Sequence, residues 1–448
     1  MRWSAWASRY GAAAPVLTHK GPAMHVLVIG AGGFVGRHLV GRLVANGVHV
    51  TAAGRDPVRL AQALCGVSTI RCDLARDSAD DWLMRLRGID AVVNCAGLIR
   101  DGGRYAMVHD QGARSLFDAC YACGVSRVVQ VSALGADAGA TTRYHLSKRA
   151  ADDYLANLDP SGSRMDWVVL RPSLIIGRGG QSSALFGALA ALPLTPRLGR
   201  GKWRVQPIHV DDLIAGIVRL LFREAPIAAR IDVVGPEPMT TDALTASVRH
   251  WLGLAPVPIV RLPRWMLAAV TWLGIGPVTR ESLTMLEAGN TGDVDPLIAA
   301  TGLVPATLSV ALARTPATDA DRLAARLMPL APVLRWLLAV VWLAGGIVPL
   351  ILTPASTNLA LLAQVGLTGT PATAALVAGA MFDIAIGLAL LARVRRAAMA
   401  GIVVMLGYTA ILATTMPALW ADPFGALVKN VAILGLALAV HALENDHG

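Results

Sequence analysis

The chain has 448 residues, of which 54% are hydrophobic and only 16% are charged, and its formal net charge is +10 at pH 7. Soluble domains usually carry about 25% charged residues, so this composition excludes an ordinary, wholly water-exposed protein. Residues 24–310 have a normal globular mixture, whereas charged residues almost vanish from about Pro332 onward. Several arginines lie beside the apolar segments, which favours a membrane surface as partner and argues against a nucleic acid.

Cysteines and the N-terminal residues carry little functional signal. The odd number of cysteines, five, argues against a disulfide framework. Cys120 and Cys123 form a Cys-x-x-Cys pair inside a predicted helix, and we expect small buried residues there rather than redox chemistry. Residues 1–23 lack the continuous apolar run of a signal peptide, and we interpret them as a flexible extension.

Between residues 24 and 170, apolar runs rich in β-branched residues alternate with segments of helical spacing. This alternation predicts an α/β fold with a doubly wound parallel sheet. Residues 173–303 are interrupted by prolines and predict a small substrate lobe, so that residues 24–303 form one domain. The six predicted strands are residues 25–30, 48–53, 68–72, 91–94, 128–131 and 168–170.

The C-terminal part has the pattern of a membrane domain. After a predicted amphipathic linker over residues 304–332, four apolar segments are long enough to cross a bilayer, which requires about 20 residues each. An all-α bundle of four transmembrane helices is therefore expected within residues 333–443. The four predicted spans are residues 336–352, 372–392, 397–416 and 424–443.

Arginines indicate the orientation of this bundle. Arg393, Arg395 and Arg396 fill the loop between the second and third spans, whereas residues 353–371 carry no charge. The excess of positive charge on cytoplasmic loops predicts that the N-terminal domain faces the cytoplasm, in an inner membrane protein with several spans.

Two ionisable residues fall within the predicted spans. Asp383 lies near the middle of the second, and Lys429 lies about a turn and a half inside the fourth. Such residues usually face a partner or a pathway. They form either a structural ion pair, or a snorkelling lysine beside a lone carboxylate, or a site for a quinone or another lipid-phase substrate.

A glycine cluster follows the first strand and opens the first helix. Gly30, Gly33 and Gly36 allow the sharp turn and the close approach of backbone to a pyrophosphate. The free N–H groups at the start of the helix, around Phe34 and Val35, would face the phosphates. Strand, turn and helix together predict a Rossmann site for a nicotinamide dinucleotide.

The ends of the second and third strands bear on the choice of cofactor. Arg55 stands where an NAD-selective site has an acidic residue, which favours the 2′-phosphate of NADP, although Asp56 is close enough to serve NAD. Asp73 ends the third strand. It either receives the adenine amino group or caps a helix that starts at Leu74.

Tyr144 and Lys148 form a Tyr-x-x-x-Lys motif after the fifth strand. Residues i and i+4 share one face of a helix, so the lysine ammonium would lower the pKa of the phenol. The tyrosine could then exchange a proton with a substrate oxygen while a nicotinamide exchanges hydride.

Several motifs occur together in the order typical of extended and atypical short-chain dehydrogenases/reductases. The chain resembles that family over residues 24–303, and most of all the branch with the NAD(P)H-binding accessory subunit of respiratory complex I. Residues 383–387 and 422–430 are similar to DoxX-like membrane domains. The motifs are the glycine cluster, 94–97 (NCAG), 131–136 (VSALGA), Tyr144-x-x-x-Lys148, 170–173 (LRPS) and 207–212 (PIHVDD).

The resemblance implies roles for individual residues. Tyr144 would be the general acid/base, with Lys148 as its activator and ribose ligand. Ala96 and Gly97 would border the nicotinamide half of the cofactor, and Pro172 would close over it. Ser132 would be the catalytic hydroxyl, but many members have a hydroxyl at the next position, where this chain has Ala133, so a serine bonded to backbone is the alternative.

His209, Asp211 and Asp212 are close in sequence without predicting a metal site, since Asp211 or Asp212 is well placed to cap a helix. Two functions remain. One is an NAD(P)(H)-dependent oxidoreductase acting on a carbonyl or alcohol. The other is a non-catalytic, cofactor-binding accessory or assembly protein of a membrane complex.

Overall fold

The computed structural model describes residues 24–98, 103–198, 201, 203–261 and 280–444. The predicted N-terminal extension lies outside these residues. The chain forms two compact units, and the division between them falls between Arg322 and Leu323.

The first unit begins with alternating strands and helices. In its first part the strands are β1 (His25–Ile29), β2 (His49–Gly54), β3 (Ser68–Arg71), β4 (Ala91–Asn94), β5 (Arg127–Val131) and β6 (Asp166–Pro172). The helices are α1 (Phe34–Ala45), α2 (Pro57–Ala63), α3 (Ala79–Arg85), α4 (Gly112–Cys123) and α5 (Arg143–Leu158). A π-helical turn, Ala106–Gln111, precedes α4.

Six predicted strands and one further strand, residues Ala228–Val233, form a seven-stranded sheet. Every pairing in it is parallel, which confirms the doubly wound α/β fold. The additional strand was not predicted because the charged residues Arg230 and Asp232 interrupt its apolar pattern. Since all strands run the same way, their carboxyl ends meet at one edge, where ligands of such folds bind.

The remaining elements of this unit are short, as the prolines predicted. The strands are β7 (Ile175–Ile176), β8 (Thr195–Arg197), β9 (Arg204–Val205), β10 (Ile208–His209), β11 (Ala228–Val233), β12 (Met239–Thr240) and β13 (Ile259–Arg261). The helices are α6 (Gln181–Ala191), α7 (Val210–Leu221), α8 (Thr241–Trp251), α9 (Arg280–Glu287), α10 (Asp295–Thr301) and α11 (Leu308–Arg314). Apart from β11, these strands form two-stranded pairs: β7 with β10, β9 with β12, and β8 with β13.

The second unit is helical. Its elements are the larger part of α12 (Asp319–Ile347), a π-helical segment (Val348–Leu352), α13 (Ala355–Gln364), α14 (Gly369–Leu391), α15 (Ala397–Thr415), a 3₁₀ turn (Pro417–Ala421) and α16 (Val428–Glu444). Among the described residues, three helices are long and apolar enough to span a membrane, namely residues 319–352, 369–391 and 397–415.

Two expectations about the membrane helices need correction. The fourth apolar helix is shorter than predicted, because residues 424–427 do not belong to it and only 428–443 is apolar helix. Lys429 consequently lies in the first turn of α16 rather than a turn and a half inside a span. The uncharged loop predicted over 353–371 contains α13.

Arg127 ties three elements of the first unit together. It is 8% exposed, its Nη2 lies 2.6 Å from the Oδ2 of Asp166 at the start of β6, and its Nη1 donates to the carbonyls of Leu220 and Leu221 at the end of α7, at 2.7 and 2.9 Å. The guanidinium thus satisfies carbonyls that the helix itself leaves open.

We expect Arg127→Met to lower the free energy of unfolding of this unit by about 2–4 kcal/mol, because it leaves a carboxylate and two carbonyls without their donor. Hydrogen exchange of the β5 amides in the detergent-solubilised full chain measures it. Arg149→Met is the control. Arg149 pairs with Asp153 at 3.2 Å, but both side chains are 38% exposed, so its loss should change stability by less than about 1 kcal/mol. Equal effects of the two substitutions would contradict this account.

Candidate active site

The turn after β1 forms a backbone cradle in which Gly30, Gly33 and Gly36 leave little or no room for a side chain. Gly30 has φ +70°, and a Cβ there would lie 2.9 Å from the Cα of Ala96. A Cβ on Gly36 would overlap the carbonyl oxygen of Gly30, and one on Gly33 would lie 3.1 Å from it. No side chain caps α1, whose first residues are Phe34, Val35 and Gly36, so the amides of its first turn are available to an anion. The residues present therefore fit a dinucleotide pyrophosphate.

The turn after β2 separates the two candidates for cofactor selection. The Oδ1 of Asp56 accepts the amide of Arg59 at 3.0 Å and caps α2. Arg55 is exposed, and within the described part of the chain no hydrogen bond or ion pair occupies its guanidinium. The acid is engaged by the backbone, and the cation beside it is available for a ligand.

Asp73 forms a local turn and does not cap a helix at Leu74. Its Oδ1 accepts the amide of Ala75 at 3.2 Å, and the helix begins only at Ala79 with Ser78 as its cap. The prediction of a helix from Leu74 is therefore wrong. The carbonyl oxygen of Leu74 lies so close to Gly112 that a Cβ on Gly112 would overlap it. This close approach holds the turn against the start of α4.

The predicted Tyr-x-x-x-Lys motif lies on α5, which Thr142 caps by accepting the amide of His145 at 3.2 Å. Lys148 is only 2% exposed. Its Nζ donates to the carbonyls of Ala96 and Val131, both at 3.1 Å, just beyond β4 and at the end of β5. Burial lowers the pKa of Lys148 to about 8, opposed by the carboxylate of Asp152. The amine is thus a buried cation at neutral pH, bound at the carboxyl edge of the sheet.

Gly97 lies beside this amine. A Cβ on Gly97 would lie 3.4 Å from the Nζ of Lys148. The segment leading to Gly97 is held by Asn94, whose Oδ1 accepts the amide of Ala96 at 3.1 Å while its Nδ2 donates to Gln130 at 2.8 Å. Ala96, Gly97 and Lys148 are therefore brought together, as predicted for the nicotinamide end of a cofactor site.

Tyr144 is half-buried and packs against two aromatic rings of the π-helical turn region. Its ring centroid lies 5.7 Å from that of Tyr105 and 5.6 Å from that of His109, both edge to face. These contacts orient the phenol ring, because edge-to-face pairs have a preferred geometry.

His109 connects the loop after β4 to α5, and the sequence analysis missed it. Its Nε2 accepts the amide of Leu98 at 2.8 Å, and its Nδ1 lies 2.9 Å from the Oγ of Ser147, which in turn donates to the carbonyl of Tyr144. Burial, and then the charge of Lys148, lowers the pKa of His109 to about 2, so the ring is neutral with its proton on Nδ1. Single π-helical turns often occur at functional sites, but no residue pattern predicted this one.

Ser132 donates to a buried carboxylate. Its Oγ lies 2.7 Å from the Oδ2 of Asp152, which is 0% exposed and also accepts the Nε of Arg171 at 3.3 Å. Burial raises the pKa of Asp152 to about 6, although the bond from Ser132 and the charge of Arg171 oppose the rise. Asp152 was missed, although its position four residues after Lys148 on the same helix face was a signal for it.

The strand that carries Pro172 ends next to β11, where Pro172 is paired with Val233 and its carbonyl accepts the amide of Leu134 at 2.9 Å. The cap of α7 is His209, whose Nδ1 accepts the amide of Asp211 at 3.3 Å, and so the predicted cap at Asp211 or Asp212 is wrong. Asp212 instead accepts the amide of Ala306 at 2.9 Å.

Comparisons with known proteins identify two families in this chain. A family described as NAD(P)H-binding matches residues 30–184, and the DoxX-like family matches residues 339–438. Ceramide reductase of Caulobacter vibrioides is 32% identical over 244 residues, which cover 53% of this chain and 73% of that protein. The mitochondrial NADH dehydrogenase (ubiquinone) 1 alpha subcomplex subunit 9 of Arabidopsis thaliana is 25% identical over 249 residues, covering 52% and 60%.

Among solved structures, MoeE5 in complex with UDP-glucuronic acid and NAD has a TM-score of 0.52 at 21% identity, covering 65% of this chain and 97% of that one. At this identity the likeness shows the fold alone. The two matched families imply a nicotinamide dinucleotide and a lipid bilayer as partners. The chain belongs to the NAD(P)H-binding proteins of the short-chain dehydrogenase/reductase type and has, in addition, a C-terminal DoxX-like membrane domain.

Proposed function

We propose that this protein is a membrane-anchored, NADPH-dependent reductase in which Tyr144 protonates the oxygen of a substrate carbonyl group. The observation that carries the proposal is the position of Lys148, buried one helical turn from Tyr144 and bonded to carbonyls at the ends of β4 and β5. A cation in that place stabilises the phenolate that Tyr144 becomes when it gives up its proton.

In this reaction the O–H bond of Tyr144 breaks, and its proton joins the carbonyl oxygen, which becomes a hydroxyl. The reduced nicotinamide, when bound, supplies the hydride that the carbonyl carbon gains. Lys148 carries its positive charge at neutral pH because its pKa is about 8. His109 and Tyr105 hold the ring of Tyr144 by their edge-to-face contacts, so the phenol is oriented before the substrate arrives.

A lipid is the substrate class that best fits the whole chain. The DoxX-like domain places the enzyme at a bilayer, where hydrophobic carbonyl compounds accumulate, and the relative from Caulobacter vibrioides is named a ceramide reductase. A quinone is the other lipid-phase carbonyl compound that this location allows.

Exposed arginines support both the choice of cofactor and the orientation of the protein in the membrane. Arg55 is exposed beside the cradle while Asp56 caps α2, which supports NADPH over NADH because a guanidinium binds a 2′-phosphate. Arg393, Arg395 and Arg396 are exposed between α14 and α15. Their charge supports an inner membrane protein with the dinucleotide-binding domain on the cytoplasmic face.

Asp152 acts as a positioning residue in this proposal. It lies one turn beyond Lys148 on α5, and its negative charge raises the pKa of Lys148 against the effect of burial. Its bond from Ser132 fixes the residue directly after β5, next to Val131, whose carbonyl accepts the hydrogen bond from Lys148. Asp152 therefore keeps Lys148 both charged and in place.

One observation favours a second function. The hydroxyl of Ser132 donates its hydrogen bond to Asp152, and the next residue, Ala133, has no hydroxyl. The hydroxyl that would help to polarise a substrate carbonyl is therefore engaged elsewhere. A protein of this kind could bind NADPH without turnover, as an accessory or assembly protein of a membrane complex. The relative in the NADH dehydrogenase of Arabidopsis thaliana is consistent with that role.

Tyr144→Phe separates the two functions. For the reductase we expect kcat to fall about 10²–10⁴-fold because the proton donor is lost, with NADPH affinity unchanged. Turnover is measured in vesicles with long-chain ketones and a prenylated benzoquinone. Tyr154→Phe is the control, since Tyr154 lies on the same helix and donates to Asp118 at 2.6 Å. Unchanged turnover in Tyr144→Phe would reject the acid/base role, and tight NADPH binding without turnover of any carbonyl would support the accessory role.

Arg55→Asp tests the cofactor. It should weaken NADPH binding at least about tenfold while NADH binding stays the same or improves, because an acidic side chain repels a 2′-phosphate and accepts a ribose hydroxyl. Nucleotide fluorescence gives both dissociation constants. Arg59→Asp makes the same charge change at another exposed residue of this region and should affect NADPH far less. An equal loss in both variants would assign the effect to general electrostatics.

Asp152→Asn tests the positioning role through the pH dependence of kcat. Reduction requires the cationic form of Lys148, so activity is lost as the pH rises through the pKa of Lys148, which is about 8. Removing the carboxylate removes an effect that raises this pKa, and the basic limb should move to lower pH. Asp153→Asn is the control, because Asp153 is half-exposed and pairs with Arg149 and Arg230. An Asp152→Asn enzyme with lower activity but an unmoved basic limb would show a purely structural role.

A further inference from the structure

Three polar side chains lie on neighbouring apolar helices of the membrane unit, α12, α14 and α15. They are Trp342 on α12, Asp383 on α14 and Tyr408 on α15. Each lies in a helix whose composition fits a membrane span. Polar groups at such positions are rare and usually serve a ligand, a pathway or a partner helix.

Asp383 and Tyr408 form a pair across two helices, and glycines give each of them room. The hydroxyl of Tyr408 donates to the Oδ1 of Asp383 at 3.4 Å. A Cβ on Gly345 of α12 would lie 3.1 Å from the Oδ2 of Asp383, and one on Gly379 of α14 would lie 3.4 Å from the Tyr408 oxygen. Glycine backbone therefore lies close to both polar groups.

No cation compensates Asp383 within the described residues. Lys429, which the sequence suggested as its partner, begins α16 and makes no ion pair with Asp383 in that part of the chain. The only hydrogen bond to the carboxylate among those described residues is the long one from Tyr408. The pair thus retains capacity for another hydrogen-bonding group.

Trp342 supplies an unused donor nearby. It lies three residues before Gly345 on α12, so the two residues are neighbours on the surface of that helix. Trp342 is 7% exposed, and its indole N–H is buried without a hydrogen-bond partner among the residues that the structure describes. A Cβ on Gly401 of α15 would lie 3.0 Å from its Nε1. A buried donor without an acceptor is unfavourable, and a ligand acceptor would remove that cost.

Another polar pair of the same unit is already complete. The Nδ2 of Asn430 on α16 donates to the Oγ1 of Thr409 on α15 at 2.7 Å, and Thr409 itself donates to the carbonyl of Met405 at 2.7 Å. This pair joins two helices as interhelical hydrogen bonds in membranes do. It shows what a purely structural pair looks like in this unit.

We propose that Trp342, Asp383 and Tyr408 form a binding site for the uncharged carbonyl group of a membrane-soluble molecule. The indole N–H and the phenol O–H are donors to the carbonyl oxygen, and Asp383 accepts from a neighbouring hydroxyl or amide of the same molecule. A phosphate headgroup is disfavoured because a carboxylate is present and none of the three side chains is cationic. The site does not depend on Tyr144 or on NADPH, and so it extends the proposed function without resting on it.

Photolabelling of the full chain in lipid nanodiscs, without NADPH, tests the site. Two probes carry a diazirine on the tail and a carbonyl in the polar part, one an N-acylated long-chain 3-keto amine and the other a prenylated benzoquinone. Phosphatidylglycerol with the same diazirine is the comparison lipid. We expect one carbonyl probe to label peptides of α12, α14 or α15 in a way that the unlabelled compound competes away, and the probe that does so identifies the source of the carbonyl.

Tyr408→Phe is the decisive variant, because it keeps the ring and removes only the hydroxyl. The site predicts that saturable labelling falls about fivefold to tenfold, as for one lost hydrogen bond. Trp342→Phe should have a similar effect, although it removes the five-membered ring of the indole together with its N–H. A structural role of Tyr408 predicts unchanged labelling, whatever the change in thermal stability. Asn430→Leu is the control, since it should lower thermal stability and leave labelling intact.

Labelling by phosphatidylglycerol equal to that by both carbonyl probes, or labelling unaffected in Trp342→Phe and Tyr408→Phe, would overturn the proposal. Because no cofactor is present, neither result depends on whether the reductase chemistry is correct. Asp383→Leu can be added where it folds, and the two conservative variants decide the question where it does not.

Discussion

A single buried ammonium group organises the candidate active site. The Nζ of Lys148 is bonded to the carbonyls of Ala96 and Val131, so one side chain from α5 joins the segments that follow two neighbouring strands. Burying a cation is costly unless hydrogen bonds and opposite charge compensate it. Two carbonyls and the carboxylate of Asp152 provide that compensation here. Tyr144 lies one helical turn before this lysine on α5.

The helix α5 distributes its chemistry along one face. Tyr144, Lys148 and Asp152 recur every four residues, which places a proton donor, a cation and an anion in line. The first is half-buried and the other two are almost completely buried. Only the tyrosine is thus partly exposed, while the two charged groups lie behind it in surroundings of low dielectric constant.

The polar groups of the two units lie in different surroundings. In the first unit, Arg127 and Asp166 are joined by a short, direct bond, although other buried polar atoms of that unit, such as the indole nitrogen of Trp82, have no hydrogen-bond partner among the described residues. In the membrane unit, Trp342 retains an unpaired N–H and Asp383 has one long hydrogen bond. Inside a bilayer no water can complete such groups, and this difference is the reason to look for a lipid-phase ligand there.

The sequence by itself determined the parallel sheet, the glycine cradle, the Tyr144/Lys148 pair and the membrane part, because each rests on a local pattern. Buried strands give apolar runs, a pyrophosphate turn needs glycine, and a span needs about 20 apolar residues. Tertiary structure decided whatever depends on partners distant in sequence. The donation of Ser132 to Asp152, the role of His109 between Leu98 and Ser147, the capping of α7 by His209, and the shorter helix around Lys429 all depend on contacts or on helix ends that no spacing encodes. Edge strand β11 was missed because Arg230 and Asp232 break its apolar pattern, so only its pairing with β6 reveals it as a strand.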